Sequence, residues 1–264
     1  MQDKVWWWLV PVVVLCGVAA GFYFTHRGHE SDETAAPPPP PLASSPEPPS
    51  IQHPVPAATS DTPLPDLDAS DEPLLQALGN LAGNALVHEL LVPTQLIRHI
   101  VAMVDNLPRK KVAPQALPVK PVAGAFIVKE SGNTLTVSPQ NAARYTTWIT
   151  LAESVDTQQL VALYFHYYPL FQEAYRNLGY PNGYFNDRLV EAIDDALAAP
   201  EINGPIELVQ PGVMYQYADP ALEARSAGQK VLLRMGNENA AKLKRKLRDV
   251  REALVNGNAN KPAG

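Results

Sequence analysis

The chain has 264 residues, the length of one or two domains, and a formal net charge of −6. Its single cysteine, Cys16, excludes an intramolecular disulfide and a zinc site built from cysteines. Between Arg27 and Arg98 there are ten acidic residues and no lysine or arginine, whereas the chain from Arg98 onward has 19 lysine and arginine residues and 16 acidic ones, a difference of +3. The negative charge therefore belongs to the N-terminal part. The nearly neutral remainder does not indicate a nucleic-acid-binding protein.

Residues 5–24 form an uncharged, apolar segment that follows a short N-terminus, residues 1–4. A helix of this length spans roughly 30 Å, the thickness of the hydrocarbon core of a bilayer. Aromatic residues lie at both ends, as is typical of the membrane interface: Trp6, Trp7, Trp8, Phe22 and Tyr23. We therefore predict a transmembrane anchor. A cleaved signal peptide is the alternative, although Val18-Ala19-Ala20 is a poor cleavage site.

The orientation of this anchor is predicted from its flanks. Lys4 lies on one side and Arg27 on the other, so the basic residues barely distinguish the two directions. The very short N-terminus and the long acidic segment without lysine favour a cytoplasmic N-terminus, residues 1–4. The rest of the chain is then expected outside the cytoplasm.

A linker rich in proline, serine, alanine and acidic residues follows at 25–66. Twelve of the 27 prolines of the chain lie between Pro37 and Pro65. Such a composition buries too little apolar surface to offset the entropy of ordering the backbone, so we predict disorder with extended polyproline stretches. A passive spacer is the simplest interpretation. A ligand for a proline-recognising groove is the alternative.

Residues 67–255 are predicted to form one mainly α-helical domain with a small β element, followed by a disordered tail at 256–264. The predicted helices are 71–91 with a break near Asn84, 93–107, 141–155, 156–178, 187–199 and 237–255, with shorter helices between 219 and 235. Two short β segments, 125–129 and 134–137, flank a turn and predict a hairpin. Because an isolated hairpin is marginally stable, we expect a further strand from 206–209 or 213–217.

The aromatic-rich segment 160–197 predicts two helices joined by a tight turn. Gly179 suits the residue that follows a helix end, and Pro181-Asn182-Gly183 is typical of a turn. Asn186 is predicted to cap the second helix. The polar and aromatic residues of this turn, which we call the corner (180–188), are the candidate binding surface. They are Tyr180, Asn182, Tyr184, Asn186, Asp187 and Arg188. The alternative is that they only fix the angle between the helices.

One carboxylate suggests a catalytic alternative. The segment WITLAESV around Glu153 superficially resembles the glutamate–serine element of lytic transglycosylases, in which a lone glutamate acts as general acid. That resemblance implies a peptidoglycan hydrolase or lyase that uses Glu153. The glycine-leucine-methionine-glutamine element of that family is absent downstream. A carboxylate at a helix end is the competing interpretation.

The remaining candidate functional surfaces are two charged helix faces. Four acidic residues of the helix 187–199 lie at helical spacing without histidine or cysteine, so no metal site is predicted. They are Asp187, Glu191, Asp194 and Asp195. The last helix carries a basic face that suggests contact with anionic lipid, or else a solvated surface. This face comprises Lys242, Lys244, Arg245, Lys246, Arg248 and Arg251.

Taken together, YYPLFQEAYRNLGYPNGYFNDRLVEAIDDAL, LLVPTQLIRHIVAMVDNLP and the segment from Ile206 to Arg248 resemble a bacterial family of uncharacterised proteins, domain of unknown function 3014. The resemblance covers most of 67–254. It implies a bacterial, membrane-anchored protein with a proline-rich linker. Together with the predicted orientation of the anchor, this indicates a single-pass protein of the bacterial inner membrane whose C-terminal domain is periplasmic. The resemblance implies no established activity, cofactor or catalytic residue. We therefore expect a non-enzymatic binding or scaffolding module with an envelope protein or the cell wall as partner.

Overall fold

The computed structural model describes residues 50–56, 63–110 and 117–257. The predicted anchor (5–24), the linker up to residue 49 and the last seven residues of the predicted tail lie outside this part. Among the described residues, no helix combines the length and the apolar character needed to cross a bilayer.

The described part is mainly helical with one small antiparallel sheet, which confirms the predicted fold class of the domain. The helices are α1 (Asp71–Ala82), α2 (Asn84–Leu90), α3 (Leu96–Asn106), α4 (Thr146–Ser154), α5 (Thr157–Asn177), α6 (Phe185–Leu197), α7 (Pro220–Glu223), α8 (Ala227–Arg234) and α9 (Gly236–Asn256). The strands are β1 (Val128–Ser131), β2 (Thr134–Val137), β3 (Glu207–Val209) and β4 (Gln216–Tyr217). Short 3₁₀ turns precede α1 and α4.

Local sequence signals explain several helix ends. The predicted break between α1 and α2 falls at Gly83, whose φ of 91° favours glycine. Asp71, at the start of α1, accepts hydrogen bonds from the amides of Gln95 and Leu96 at 2.7 and 2.8 Å, so it also fixes the start of α3. At α5 the predicted cap is confirmed, because the Asp156 carboxylate accepts from the Gln159 amide at 2.9 Å.

The four strands pair in the order β1-β2-β3-β4, each antiparallel to the next. The predicted hairpin is confirmed, with Gly132 at a φ of 57° in its two-residue turn. Of the two segments predicted as alternatives for a further strand, 206–209 pairs with the hairpin, since Leu135 pairs with Leu208. Of 213–217, only Gln216–Tyr217 forms a strand, and Tyr217 pairs with Leu208. Leu208 and Tyr217 pack against α7 and α8, so the sheet lies on the C-terminal helices.

The largest apolar cluster lies where α1, α3, α5 and the start of α6 meet. Leu96, Ile97 and Val101 of α3 are almost fully buried there, and Phe171 and Phe185 stack with their ring centroids 5.7 Å apart. A second cluster joins α5, α6 and α9 through Val161, Val190, Ile193 and Leu254. The two clusters together hold α5 and α6, and hence the corner between them, in a fixed geometry.

Near the C-terminal end of the predicted linker (25–66), the described residues 50–56 and 63–66 make specific contacts that the prediction of disorder did not include. Residues 50–56, which we call the strap, lie against the corner, and Val55 and Leu64 pack on the main apolar cluster. The physical reason is that side chains of α6 and its N-cap residue Tyr184 supply partners for the strap amides. Proline also lowers the entropy that the strap loses on docking.

The predicted role of Asn186 as a helix cap is wrong. Helix α6 begins at Phe185 with Tyr184 at the N-cap position, and no side chain caps the helix there. Asn186 is instead fully buried, at 0% exposure. An asparagine near a helix start can either cap the helix or bind another segment, and sequence alone does not separate these roles.

Candidate functional site

The corner is shaped by the end of α5. The amide of Gly179 donates to the Arg176 carbonyl at 3.1 Å and the amide of Tyr180 donates to the Tyr175 carbonyl at 3.4 Å, which together form a Schellman motif. Gly179 has a φ of 117°, as this motif requires. A Cβ at Gly183 would come within 2.7 Å of the Tyr175 ring, so only glycine allows the turn to close on α5. The predicted helix end is therefore confirmed.

Two of the predicted site residues, Tyr180 and Arg188, surround a buried carboxylate on α3. The side chain of Asp105 is 6% exposed. Its Oδ1 accepts from Arg188 Nε at 3.1 Å, and its Oδ2 accepts from Arg109 Nη2 at 2.7 Å and from the Tyr180 hydroxyl at 3.2 Å. The charge of Asp105, followed by the hydrogen bond to Tyr180, raises the pKa of Arg109. Arg109 and Arg188 thus neutralise the charge of Asp105, and the Tyr180 hydroxyl donates a further hydrogen bond to it.

Three further predicted residues, Tyr184, Asn186 and Asp187, hold the strap. The amides of Gln52 and His53 donate to Asp187 Oδ2 and Oδ1 at 3.0 and 2.7 Å. The amide of Val55 donates to the Tyr184 hydroxyl at 2.7 Å. Asn186 Nδ2 donates to the His53 carbonyl at 2.8 Å.

Asn182 is the sixth predicted residue, and it lies exposed at the turn. The structure thus brings the predicted residues together but divides their contacts between the strap and Asp105. Sequence analysis missed both of these partners. The role of Asp105 could have been suspected from the sequence, because it is an acidic residue beside the apolar stripe of α3.

Glu153 lies near the end of α4 with a side chain that is 45% exposed, and its carboxylate is 3.8 Å from Arg245. A general acid needs a carboxyl group sheltered from water so that it stays protonated. A half-exposed carboxylate beside an arginine does not have this shelter. The position fits the predicted alternative of a carboxylate at a helix end.

The basic face of α9 is largely occupied by intramolecular contacts. Lys244 is buried and donates to the Ala199 carbonyl at 2.6 Å, and Lys246 donates to the Val155 carbonyl. Lys242 and Arg251 form ion pairs with Glu238 and Asp194 respectively. This arrangement leaves little of the face for anionic lipid. It also differs from the predicted alternative, a solvated surface, because Lys244 and Lys246 donate to carbonyl groups of the domain. Within the described part of the chain, no group of three or more histidine, cysteine or acidic residues could hold a metal ion.

An apolar surface at the end of the sheet was not recognised from the sequence. The loop between β3 and β4, residues 210–215, exposes Val213 by 90% and Met214 by 75%. The ring of Tyr215 lies against Phe126, with the centroids 6.3 Å apart. Val209 and Ile127 are also partly exposed, at 44% and 37%. Sequence analysis assigned 213–217 to a strand, and alternation along a strand does not reveal a loop with several exposed apolar side chains.

The buried tyrosines behind the corner predict a loss of stability at high pH. Burial raises the pKa of Tyr164 well above its ordinary value, and burial together with a hydrogen bond to Tyr184 raises that of Tyr168. Each hydroxyl therefore stays protonated in the folded state while its unfolded counterpart ionises near pH 10. The contribution of the two protonated hydroxyls to the stability of the fold is complete below about pH 10. Above pH 10 we expect the free energy of unfolding to fall by up to about 1.4 kcal/mol per pH unit for each tyrosine.

Urea titrations at a series of pH values, with tyrosinate absorbance as a second signal, measure this loss. The variant Tyr168→Phe removes one of the two groups, so its stability should fall less steeply above pH 10. A wild-type free energy of unfolding that stays constant well above pH 10 would contradict the assignment.

Comparison with known proteins gives one match. Residues 96–251 match the model of a protein family described as "Protein of unknown function (DUF3014)". No curated protein and no solved structure matches the chain. The matched range begins at α3 and ends within α9, so it contains the corner, the sheet and Asp105.

Proposed function

This chain belongs to the DUF3014 family, and we propose that it is a non-enzymatic binding module anchored in the bacterial inner membrane by residues 5–24. In this proposal the helical domain is periplasmic and contacts a protein partner through the β3–β4 loop. The exposed apolar surface of that loop is the observation that carries the proposal.

The exposure of Val213 and Met214 is the reason for choosing this loop. Single apolar side chains are common on protein surfaces, but neighbouring ones that are 90% and 75% exposed are costly to leave in water. Tyr215 and Phe126 form an aromatic pair beside them. Tyrosine, phenylalanine and methionine are enriched in the buried centres of protein interfaces, and the thioether of methionine adapts to partners of different shape.

A protein partner explains this loop better than a lipid surface does. Segments that insert into a membrane interface combine large apolar residues with lysine or arginine around them. The loop 210–215 contains no basic residue. The basic residues of α9 that would attract anionic lipid are largely engaged within the domain.

The corner is a weaker candidate for the partner surface than the loop. Five of its six predicted residues contact Asp105 or the strap, so their hydrogen-bonding groups are already in use. A partner at the corner would have to displace these contacts. The β3–β4 loop offers apolar surface without such a cost.

We expect the double variant Val213→Ser/Met214→Ser to bind the partner about tenfold more weakly, because apolar residues at the centre of an interface contribute on the order of 1–2 kcal/mol or more. The measurement is quantitative capture of crosslinked partners from native membranes by the full-length chain. Since both side chains are exposed, the thermal stability of the domain should change little.

Val231→Ser is the matched control, since Val231 is an exposed apolar residue, at 39%, on α8. It should capture the same partners as the wild type. Equal capture by the double variant and the wild type would refute the proposed surface.

A further inference from the structure

The strap is recognised through its backbone. Residues 54 and 56 are prolines and have no amide N–H. The remaining amides from Gln52 to Pro56 belong to Gln52, His53 and Val55, and all three donate to Asp187 or Tyr184. The use of all three amides between Gln52 and Pro56 indicates a site that fits one backbone conformation with prolines at positions 54 and 56.

The corner residues that bind the strap are positioned by the helical domain itself. Asn186 donates to the His53 carbonyl, while its own Oδ1 accepts from the Tyr164 hydroxyl of α5 at 3.1 Å. Its side chain is therefore oriented by α5 independently of the strap. Asp187 presents both carboxylate oxygens in the first turn of α6.

Side chains of the strap contribute little to recognition. Val55 packs against the main apolar cluster, whereas Ile51 is 54% exposed and Gln52 is exposed as well. The ligand of this site is thus a proline-flanked peptide that bends at Gln52 and His53 and packs one apolar residue, Val55, on the domain. The chain itself provides such a peptide, so every other copy of the chain provides it too.

We propose that the corner is a self-association site, at which the strap of one copy binds Tyr184, Asn186 and Asp187 of a second copy by segment exchange. Exchange of an identical element forms dimers without any new contact. Only six residues, 57–62, separate the strap from the body. A connection this short gives the chain's own strap an effective concentration of roughly millimolar, so a dilute protein keeps its strap in place and a locally concentrated one exchanges it.

Two complementary variants of the full-length chain test this proposal. The strap variant His53→Pro/Val55→Pro removes two of the three amide donors and leaves the corner intact. The corner variant Asp187→Asn keeps an intact strap but replaces one acceptor oxygen with an amide. Each variant weakens its own contact, because the strap variant keeps only the Gln52 amide and the corner variant keeps only one acceptor oxygen at position 187. A mixture nevertheless contains one complete strap and one complete corner.

We expect energy transfer between labelled chains in detergent to show that the mixed pair associates at least about tenfold more tightly than either variant with itself. Asp194→Asn is the matched control for the corner variant, because Asp194 lies on the same helix and pairs with the exposed Arg251. Its mixture with the strap variant should not gain affinity.

A mixed pair that associates no more tightly than each variant alone would overturn the proposal, as would equal association with Asp194→Asn. Circular dichroism checks that the variants fold. If Asp187→Asn is unfolded, Tyr184→Phe serves in its place, because it removes the acceptor for the Val55 amide, together with the hydrogen bond of that hydroxyl to Tyr168. None of these substitutions lies in the β3–β4 loop. The test of self-association and the test of the proposed partner surface can therefore fail independently of each other.

Discussion

Replacing Asp105 with alanine is expected to lower the free energy of unfolding by about 3 kcal/mol, the lower end of the range for breaking a buried ion pair. The Arg188 side chain is only 15% exposed and would keep only the carboxylate of Glu191, whose side chain is 63% exposed. Tyr180 would lose the acceptor of its hydroxyl proton. Urea unfolding followed by circular dichroism measures the change.

The exposed ion pair between Arg98 and Asp68 provides the control, since the Asp68 side chain is 85% exposed. Asp68→Ala should cost no more than about 1 kcal/mol. In addition, Asp105→Ala and Arg188→Ala should not be additive, with a coupling energy of about 1 kcal/mol or more in the double variant. A loss below 1 kcal/mol for Asp105→Ala would show that this cluster does not hold α3 against the corner.

Replacing Phe185 with alanine is expected to cost about 3–5 kcal/mol, the range for a large aromatic side chain deleted from a core. Phe185 is 1% exposed at the start of α6. Its ring stacks on Phe171 and lies 5.6 Å from that of Tyr175. The cavity left by the missing ring would lie directly behind the corner. The same urea titration measures the resulting change in the free energy of unfolding.

Phe126→Ala is the matched control, because this phenylalanine is only partly buried, beside the sheet. We expect a loss of less than about 3 kcal/mol there, as only part of the ring surface is removed from water on folding. If Phe185→Ala proved no more costly than Phe126→Ala, the main cluster would not be the principal core of the domain.

Much of the fold could be predicted because its elements have strong local signals. The apolar periodicity of α3 and α5, the Asp156 cap and the Gly179 helix end each follow from a few neighbouring residues. The hairpin was predicted from short β segments around Gly132, and a further strand from the marginal stability of an isolated hairpin, whereas the sheet has four strands. Such signals do not depend on distant parts of the chain.

The contacts of the candidate site could not be predicted to the same degree. The strap joins residues about 130 positions apart, and it does so through backbone amides that have no signature in the sequence. A proline-rich composition predicts disorder at 25–66, but a proline-flanked segment that docks on the helical domain has the same composition. For α9, the spacing of Lys244 and Lys246 gave no indication that both would donate to buried or half-buried carbonyl groups.

The most direct test of the proposed binding module is site-specific photocrosslinking of the full-length chain in its native membrane. A photoreactive amino acid is placed in turn at Val213 in the β3–β4 loop, at Asn182 in the corner and at Gln158 on the exposed face of α5. We predict a discrete crosslinked protein partner from position 213 and none from position 158. A partner captured from position 182 but not from position 213 would contradict the assignment of the loop.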